Sequence, residues 1–297
     1  MSMRVLITGK GSYIGEHIKS HLESFEHIVD EVDTLNDHWK EIDFSQYDSI
    51  VHVAAIVHND AKDASEELFT KVNTDLPVSI AKTAKENGVK QFVFMSTMGV
   101  FGKGKALLKE DSVVTKDTVP NAVGGYGGSK LQAEKQLNDL ESDSFKVAIV
   151  RPPNVYGPGC KGNYIPLFKK LALKLFICPY AYINIRQSML YIANLSELVR
   201  LIIDNHSDSI YMPQDDCIPN TVEIIRIIRS VYGKETHVSK LLGYFVKAFH
   251  KLPLINKVYG GIQYEESLSN CFDNRYQIVS FVRGVGLTYE EHKETRS

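Results

Sequence analysis

Short β-branched runs alternate with segments of helical periodicity along the first half of the chain. Apolar runs at residues 4–8, 28–32, 49–54, 91–96 and 146–150 predict strands, and residues 14–24, 65–87 and 126–140 predict the helices between them. Pro77 lies inside the longest helical segment, so we expect a kink or a restart there. This alternation predicts an α/β protein with a parallel sheet covered by helices on both faces.

The regular alternation ends near Arg151, where Pro, Gly and aromatic residues become frequent. Helical periodicity returns at residues 165–175, 196–204 and 222–231. We therefore predict a large domain at residues 1–155 and a smaller C-terminal lobe at residues 156–297, with some segments of the lobe returning to the sheet.

A basic and apolar segment occupies residues 241–257, where Leu, Phe and Val alternate with lysines. Such a composition occurs in helices that lie on a membrane surface. Pro253 interrupts the periodicity, however, and a pair of helices packed on the small lobe needs the same apolar residues. We predict that this segment forms such a packed pair.

The composition is that of an ordinary globular protein, with 297 residues, 43% of them hydrophobic and 24% charged. A formal net charge of -2 leaves no basic field for nucleic acid, so we expect no nucleic-acid partner. The four cysteines are widely spaced and form no C-x-x-C pair, which argues against a metal site or a disulfide framework. Without a run of about 18 apolar residues or a signal-peptide core, we expect no integral membrane segment and a cytoplasmic location.

A glycine-rich turn follows the first predicted strand and opens the first predicted helix, in the run Thr8-Gly9-Lys10-Gly11-Ser12-Tyr13-Ile14-Gly15. Backbone N–H groups and the positive end of a helix hold a pyrophosphate at such a turn. Ser12 stands where a third glycine is usual. The candidate cofactor contacts here are Gly9, Gly11, Ser12, Tyr13, Ile14 and Gly15.

Asp33 stands at the end of the second predicted strand, close to where an acid accepts both ribose hydroxyls of an adenosine. An acid there favours NAD as the cofactor over NADP. Asp43 and Phe44 precede the third strand and either meet the adenine edge or form a surface turn. Nearby alternatives to Asp33 are Asp30, Glu31 and Asp37.

Tyr126 and Lys130 are four residues apart and therefore lie on one face of the helix that begins there. A fixed cation beside a phenol favours the phenolate, which makes Tyr126 a candidate acid or base. Upstream, Ser96 and Thr97 end an apolar strand, and hydroxyls at the carboxyl end of a parallel strand face the ligand crevice. The pattern predicts catalysis by Thr97, Tyr126 and Lys130.

With these motifs together, nearly the whole chain resembles the extended short-chain dehydrogenases/reductases, in particular the NAD-dependent epimerase/dehydratase family that acts on nucleotide sugars. The resemblance implies a Rossmann-type doubly wound sheet with a substrate-binding C-terminal lobe, bound NAD, and a homodimer formed through the helix of Tyr126. The motifs that carry it are residues 8–15, 52–55, 72–73, 96–102, 126–130 and 151–159.

The resemblance also assigns roles to single residues. Thr97 is expected to hydrogen-bond the reacting oxygen, Tyr126 to act as acid and base, and Lys130 to activate it and to contact the nicotinamide ribose. Arg186 is the preferred contact for the sugar diphosphate, although the best register places Gln187 there and Arg186 could be only a surface charge. The remaining expected contacts are Ala54, Ala55, Asn73, Ser96 and Pro153 in the cofactor cleft and Asn154 and Asn163 at the substrate.

The reaction implied by the resemblance begins with hydride removal from C4 of the sugar. Dehydration is disfavoured because Met98 and Gly99 stand where dehydratases carry an Asp-Glu pair. Asp33 favours a UDP-sugar 4-epimerase with tightly held NAD. A 4-ketoreductase for surface polysaccharides is the alternative, because residues 52–58 resemble those of such enzymes. A non-catalytic dinucleotide sensor is a third hypothesis, disfavoured by retention of the tyrosine and lysine.

Overall fold

Parallel strands form the centre of the structure, a computed structural model that describes residues 2–34, 37–57, 65–102, 113–160, 162, 164–173, 180–249 and 251–294. The strands are β1 (Arg4–Thr8), β2 (Ile28–Val32), β3 (Ser49–His52), β4 (Gln91–Met95), β5 (Val113–Val114), β6 (Lys146–Val150), β7 (Asn154–Tyr156), β8 (Tyr180–Ala181), β9 (Met189–Tyr191), β10 (Ile210–Tyr211), β11 (Val238–Ser239) and β12 (Gln263–Tyr264). The helices are α1 (Tyr13–Ser24), α2 (Glu66–Thr70), α3 (Leu76–Glu86), α4 (Gly125–Asn138), α5 (Tyr164–Leu173), α6 (Ile192–Asp204), α7 (Thr221–Val231), α8 (Lys240–Ala248), α9 (Pro253–Tyr259) and α10 (Phe281–Glu294).

Six strands form one parallel sheet in the order β10-β6-β4-β3-β1-β2. The chain runs from β1 to β2 on one side and then returns to β3 on the other side of β1, so the strand order reverses at β1. In open parallel sheets the ligand crevice lies at such a reversal, beyond the carboxyl ends of the strands. The predicted Rossmann-type doubly wound sheet is confirmed.

Both faces of this sheet are covered, which explains the continuous apolar runs in its central strands. Along β1 the side chains alternate between faces, so that Val5 and Ile7 belong to one core cluster and Leu6 to the other. The first cluster continues into α1 and α6, and the second into α3 and α4. All four residues of β3 and all five of β4 are buried.

The long helix expected at residues 65–87 is divided, as the proline predicted. Lys71–Asp75 form one turn of π-helix between α2 and α3, and Pro77 is the second residue of α3. Proline is tolerated in a first helical turn because its missing N–H has no helical partner there. The π turn was not predicted; it includes Asn73 and Thr74, whose side chains both bond to Ser129 of α4.

Part of the chain after residue 156 returns to the large sheet. β10 pairs in parallel with β6, and α6 packs against α1 on one face of that sheet. The other late strands form short parallel pairs, β7 with β9, β8 with β11 and β5 with β12. The division at residue 155 stays a prediction.

The segment at residues 241–257 forms a pair of helices, α8 and α9, and Pro253 begins the second one. The prediction that its apolar residues pack on the small lobe is wrong for six of them. Even so, none of the helices in the described ranges has the length and apolar content needed to cross a bilayer. The six exposed side chains, which we call the α8–α9 face, belong to Leu241, Tyr244, Phe245, Phe249, Leu252 and Leu254.

A buried carboxylate, that of Asp215, organises the second half of the chain. Its Oδ1 atom accepts from the Tyr191 backbone N–H at 2.9 Å and from the Asn194 amide at 2.8 Å, and its Oδ2 accepts from the Tyr156 hydroxyl at 2.7 Å. Burial raises the pKa of Asp215 to about 7 in spite of these donors. One side chain thus joins β7, β9 and α6.

We expect Asp215→Ala to lower the free energy of unfolding by at least about 3 kcal/mol, because three buried donors lose their acceptor together. Urea denaturation followed by circular dichroism measures the change. Asp208→Ala is the matched control: Asp208 forms a partly exposed ion pair with Lys146, whose loss should cost below about 1 kcal/mol. Equal costs for the two variants would contradict the assigned role of Asp215.

Candidate active site

The glycine-rich turn after β1 closes against the ends of two neighbouring strands. The backbone N–H of Gly9 donates to the Val32 carbonyl at 3.0 Å. Gly9 has φ of +115°, and a Cβ at this position would lie 2.8 Å from the backbone nitrogen of Ala54. Gly11 has φ of +75°, again a conformation that favours glycine. The sequence folds this way because no side chain fits between the turn and β3.

The unusual serine of the turn begins the first helix. Ser12 is the N-cap of α1, and its hydroxyl accepts from the Gly15 N–H at 3.2 Å. A Cβ on Gly15 would lie 2.6 Å from this hydroxyl oxygen, so the cap needs a glycine here. Tyr13 and Ile14 follow in the first turn of α1. A glycine turn at the positive end of a helix fits the pyrophosphate of a dinucleotide.

Asp33 follows β2 directly and is exposed. The carbonyl of the preceding Val32 accepts from the N–H groups of Gly9 and Lys10, which places Asp33 beside the glycine turn. Of the two alternatives for the next candidates, an adenine contact or a surface turn, Asp43 fits the surface turn and Phe44 fits neither by its burial. The exposed Asp43 caps a short 3-10 turn by accepting from the backbone and hydroxyl of Ser45, and Phe44 is fully buried in the core.

Two glycines shape the start of α4. The N–H of Gly125 donates to both carboxylate oxygens of Glu66 at 2.8 Å, which binds the beginning of α4 to α2. A Cβ on Gly127 would lie 2.6 Å from the carbonyl oxygen of Gly99. The absence of a side chain therefore allows the first turn of α4 to approach the loop that follows β4.

This close approach brings together Tyr126 and Thr97. The Thr97 hydroxyl oxygen accepts from the Gly99 N–H at 3.0 Å, and the hydroxyl forms a hydrogen bond with the phenol of Tyr126. Burial raises the pKa of Tyr126 to about 12, and the bond from Thr97 opposes this rise. The side chain of Tyr126 is therefore protonated at neutral pH.

Lys130 is fully buried one turn further along α4. Its Nζ atom donates to the Met95 carbonyl at 2.9 Å and lies 4.4 Å from the centre of the Phe94 ring. Burial lowers the pKa of this amine to about 7, while the charge of Glu134 acts in the opposite direction. We expected Lys130 to lower the pKa of Tyr126; here the loss of water around the phenol decides the shift instead.

A buried ion pair lies behind these residues. Both carboxylate oxygens of Glu134 accept from the guanidinium of Arg151, at 3.0 and 2.6 Å. The Ser96 hydroxyl, expected in the cofactor cleft, is buried and donates to the same carboxylate. Ser96 thus joins β4 to α4. A hydroxyl at the end of a strand can form such a bond or contact a ligand, and the sequence alone does not show which.

Asn73 is also expected in the cofactor cleft, yet it is fully buried among protein partners. Its amide oxygen accepts from the Ile56 N–H at 3.0 Å, and its amide nitrogen donates to the Ile56 carbonyl and the Ser129 hydroxyl, both at 3.1 Å. Asn73 therefore fixes the loop that follows β3. Ala54 and Ala55 in that loop are partly exposed.

His52 is the first residue of the motif at residues 52–55 and the last residue of β3. The ring is fully buried between Phe92 and Phe94, and its Nδ1 atom lies 2.7 Å from the Thr8 hydroxyl. Burial and the charge of Lys130 lower the pKa of His52 well below 6.5. The imidazole is therefore neutral, and it supports the strand ends beneath the site.

The expected substrate residues lie on two paired strands and the loop before them. Asn154 is exposed on β7 and pairs with Met189 of β9. Arg186 is half-exposed; it donates to the Ile218 carbonyl and lies 3.7 Å from the Glu223 carboxylate. Gln187 is buried and accepts from the Tyr164 hydroxyl, so Arg186 is the accessible member of the pair.

Two further predictions concern this part of the chain. Pro153 is partly exposed beside Thr97, because the carbonyl of the preceding Pro152 accepts from the Met98 N–H at 2.9 Å. Asn163 lies outside the described residues. Within the part of the chain that the structure describes, no three His, Cys, Asp or Glu side chains group as metal ligands.

Comparison with known proteins gives a family match and two informative relatives. A model of the NAD dependent epimerase/dehydratase family matches residues 5–208. The chain is 30% identical over 301 residues to the UDP-glucose 4-epimerase of Vibrio cholerae, a match that covers 90% of this chain and 88% of that enzyme. It is 25% identical over 222 residues to the N-acetyl-alpha-D-glucosaminyl-diphospho-ditrans,octacis-undecaprenol 4-epimerase of Escherichia coli O157:H7, with 69% of this chain and 64% of that enzyme covered.

A solved structure confirms the fold. The UDP-glucuronic acid 4-epimerase from Bacillus cereus, crystallised in complex with NAD, superposes with a TM-score of 0.72. The match covers 98% of this chain and 97% of that one at 17% sequence identity. At this identity the likeness concerns the Rossmann-type architecture.

The buried amine predicts a pH-dependent stability. The pKa of Lys130 is about 7 in the folded protein against an ordinary value of 10.5, so the unfolded chain binds the proton more tightly between these pH values and stability rises with pH there. Relative to Lys130→Met, we expect wild type to gain roughly 2–3 kcal/mol of unfolding free energy from about pH 7 to about pH 9. Urea denaturation of the cofactor-free proteins measures this difference.

The matched control is Lys82→Met, because Lys82 is exposed on α3. Its difference from wild type should stay constant over the same pH range. A flat difference for Lys130→Met as well would show that the amine is not held in a poorly hydrated site.

Proposed function

The chain belongs to the NAD dependent epimerase/dehydratase family, and we propose that it is a 4-epimerase of a UDP-hexose or UDP-N-acetylhexosamine that works with NAD. One observation carries the proposal: Thr97 and Tyr126 interact at the carboxyl edge of the sheet, where Lys130 donates to the last residue of β4 and where the glycine turn also lies. The similarity to a UDP-glucose 4-epimerase over 90% of the chain supports the substrate class.

The three side chains have distinct tasks in this proposal. Tyr126 takes the proton of the C4 hydroxyl and later returns it, while Thr97 hydrogen-bonds the same oxygen. NAD, when bound, would supply the acceptor and donor of the C4 hydride, and its positive charge would favour the phenolate of Tyr126. Lys130, one helical turn from Tyr126 along α4, has a pKa near 7 and exchanges a proton near neutrality in a buried site.

The loop after Thr97 supports epimerisation over dehydration. Met98 packs against the core cluster that contains Val100 and Phe101, and Gly99 lies against Gly127 of α4. Neither position carries a group that exchanges protons. Elimination of water from the sugar needs such additional groups, so the reaction ends with the return of the hydride.

A lipid-linked sugar diphosphate is a second substrate class. The relative from Escherichia coli O157:H7 is named for such a substrate, and the match covers 69% of this chain. The acid and base requirements at C4 are the same for both classes. What differs is the group beyond the diphosphate, a nucleoside or a polyisoprenol.

The test is to incubate purified protein without added cofactor with UDP-glucose, UDP-galactose, their N-acetyl forms and an undecaprenyl-diphosphate N-acetylhexosamine. We expect one pair of C4 epimers to interconvert, and NAD to be released from the protein by acid. No isomer and no bound NAD would contradict the proposal. Stoichiometric oxidation of NADPH or NADH with a 4-keto-6-deoxy sugar nucleotide would show a reductase instead.

Tyr126→Phe should lower kcat by about 10²- to 10⁴-fold while NAD stays bound, because only the proton-transfer group is removed. Steady-state kinetics and the NAD content of the purified variant give the two values. Tyr244→Phe is the matched control, since this hydroxyl belongs to a tyrosine that is 73% exposed on α8. Unchanged turnover of Tyr126→Phe would refute the assignment.

We further propose that the enzyme is a cytoplasmic homodimer joined through α2 and α4. Cys160, Cys217 and Cys271 are free thiols, as in a reducing compartment. At the surface of α2 and α4 a cavity of about 280 Å³ is lined by Glu66, Val123 and Lys135 among others. Val123 lines this cavity and is 97% exposed, so a second copy docked here would cover it.

Val123→Asp should raise the dissociation constant of the dimer by at least about tenfold, because a charge would be buried without a partner. Sedimentation velocity over a concentration series measures this constant. The control is Val282→Asp, which changes an apolar residue that is 60% exposed on α10. This substitution should leave the dissociation constant of the dimer unaltered. A monomeric wild type, or equal effects of the two substitutions, would contradict the interface.

A further inference from the structure

Positive charge is concentrated in the region around α8 and α9. The whole chain has 36 acidic and 34 basic residues and a net charge of -2. Residues 236–264, in contrast, contain no Asp or Glu. The lysines of this region are Lys240, Lys247, Lys251 and Lys257.

The same region exposes large apolar side chains. Single exposed apolar residues are common on protein surfaces, but six within 14 positions are not. Along α8 they recur at the helical spacing of three and four residues, which gives one apolar stripe. The exposed fractions are 68% for Leu241, 73% for Tyr244, 60% for Phe245, 58% for Phe249, 52% for Leu252 and 64% for Leu254.

The opposite side of each helix is fixed to the protein, so the exposure does not reflect loose packing. Gly243 is buried, and a Cβ there would lie 2.1 Å from the Tyr182 carbonyl oxygen. In α9, Val258 is buried and its carbonyl accepts from the Thr221 hydroxyl at 2.5 Å. The α8–α9 face is therefore presented outward by two anchored helices.

We propose that the α8–α9 face docks on the surface of an anionic lipid bilayer. Apolar and aromatic side chains flanked by lysines, with no acid between them, complement a negatively charged layer of headgroups above acyl chains. A second copy of the chain would bring two sets of lysines together and is disfavoured by their repulsion. This inference is independent of the proposed reaction.

Docking would act close to the candidate substrate site. After α9 the chain passes Gly261, where a Cβ would lie 2.0 Å from the carbonyl oxygen of Arg186. The next residue, Ile262, accepts at its carbonyl from the Ser188 N–H at 2.9 Å. The docking helices and the arginine segment are thus directly connected.

The experiment is sedimentation of the full-length protein with vesicles of one part phosphatidylglycerol to two parts phosphatidylcholine, and with vesicles of phosphatidylcholine alone. We expect binding to the anionic vesicles at least about tenfold stronger than to the neutral ones. Raising the salt from about 0.1 M to about 1 M, which shortens the Debye length from about 10 Å to about 3 Å, should remove this preference. Failure of wild type to sediment with anionic vesicles at low salt would overturn the proposal.

Two triple variants test whether the lysines near α8 and α9, and not lysines in general, bind the vesicles. The triple substitution Lys240→Gln, Lys251→Gln and Lys257→Gln should weaken vesicle binding at least about tenfold, since each lysine near an anionic surface contributes about fivefold. Lys82→Gln, Lys90→Gln and Lys116→Gln together remove three exposed lysines elsewhere and should leave binding within about twofold of wild type. Equal losses in the two triple variants would refute the assigned surface.

The apolar contribution has its own readout, which does not depend on a destabilising change. Phe249→Trp places an indole on the α8–α9 face, while the native Trp39 is buried in the core. Brominated lipids should quench the fluorescence of the new indole and leave the fluorescence of Trp39 unchanged. Absence of quenching would overturn the proposal. A second outcome would do the same: if Phe245→Ser changes the sedimentation coefficient of the protein without vesicles, a second copy of the chain covers this face.

Discussion

The buried carboxylate of Glu134 is the contact on which the site depends. It joins α4 to the ends of two strands through Ser96 and Arg151, and Arg151 in turn accepts at its carbonyl from the Tyr264 hydroxyl at 2.8 Å. A buried ion pair contributes little net stability, since desolvation offsets the attraction, but removal of either partner is costly. Its value is therefore positional: it fixes the rotation of α4, and with it the direction of Lys130 one turn earlier.

Burial moves the two titrating groups of the site in opposite directions. It raises the pKa of Tyr126 to about 12 and lowers that of Lys130 to about 7, because loss of water penalises the charged form of each. The hydrogen bond from Thr97 and the charge of Glu134 each oppose the effect of burial. The protein alone thus favours a neutral phenol on Tyr126 and, one helical turn further, an amine on Lys130 that exchanges its proton near neutrality. A positive charge on the cofactor is what remains to favour the phenolate.

The sequence predicts the parts of this arrangement that follow from periodicity and from backbone sterics. β1, β2 and β6 have the predicted bounds, and the glycine turn lies where strand, turn and helix patterns place it. The partners of buried polar side chains are not predicted, because they depend on contacts between distant segments. Ser96 bonds to Glu134 and Asn73 to Ile56 across 38 and 17 residues, and a motif alone does not distinguish such bonds from ligand contacts. Likewise, periodicity identifies the apolar side of α8 but not whether the fold covers it.

Arg186, the candidate contact for the sugar diphosphate, forms only a weak ion pair within the protein. Backbone pairing of β7 with β9 fixes Asn154 next to the segment that carries Arg186. The ion pair of Arg186 with Glu223 is long, 3.7 Å, and the two side chains are 42% and 36% exposed. Such a pair contributes below about 1 kcal/mol, so in the function that we propose a diphosphate would replace Glu223 at little cost. The neighbouring Gln187 is buried and accepts from the Tyr164 hydroxyl, so its side chain holds this loop independently of the Arg186 ion pair.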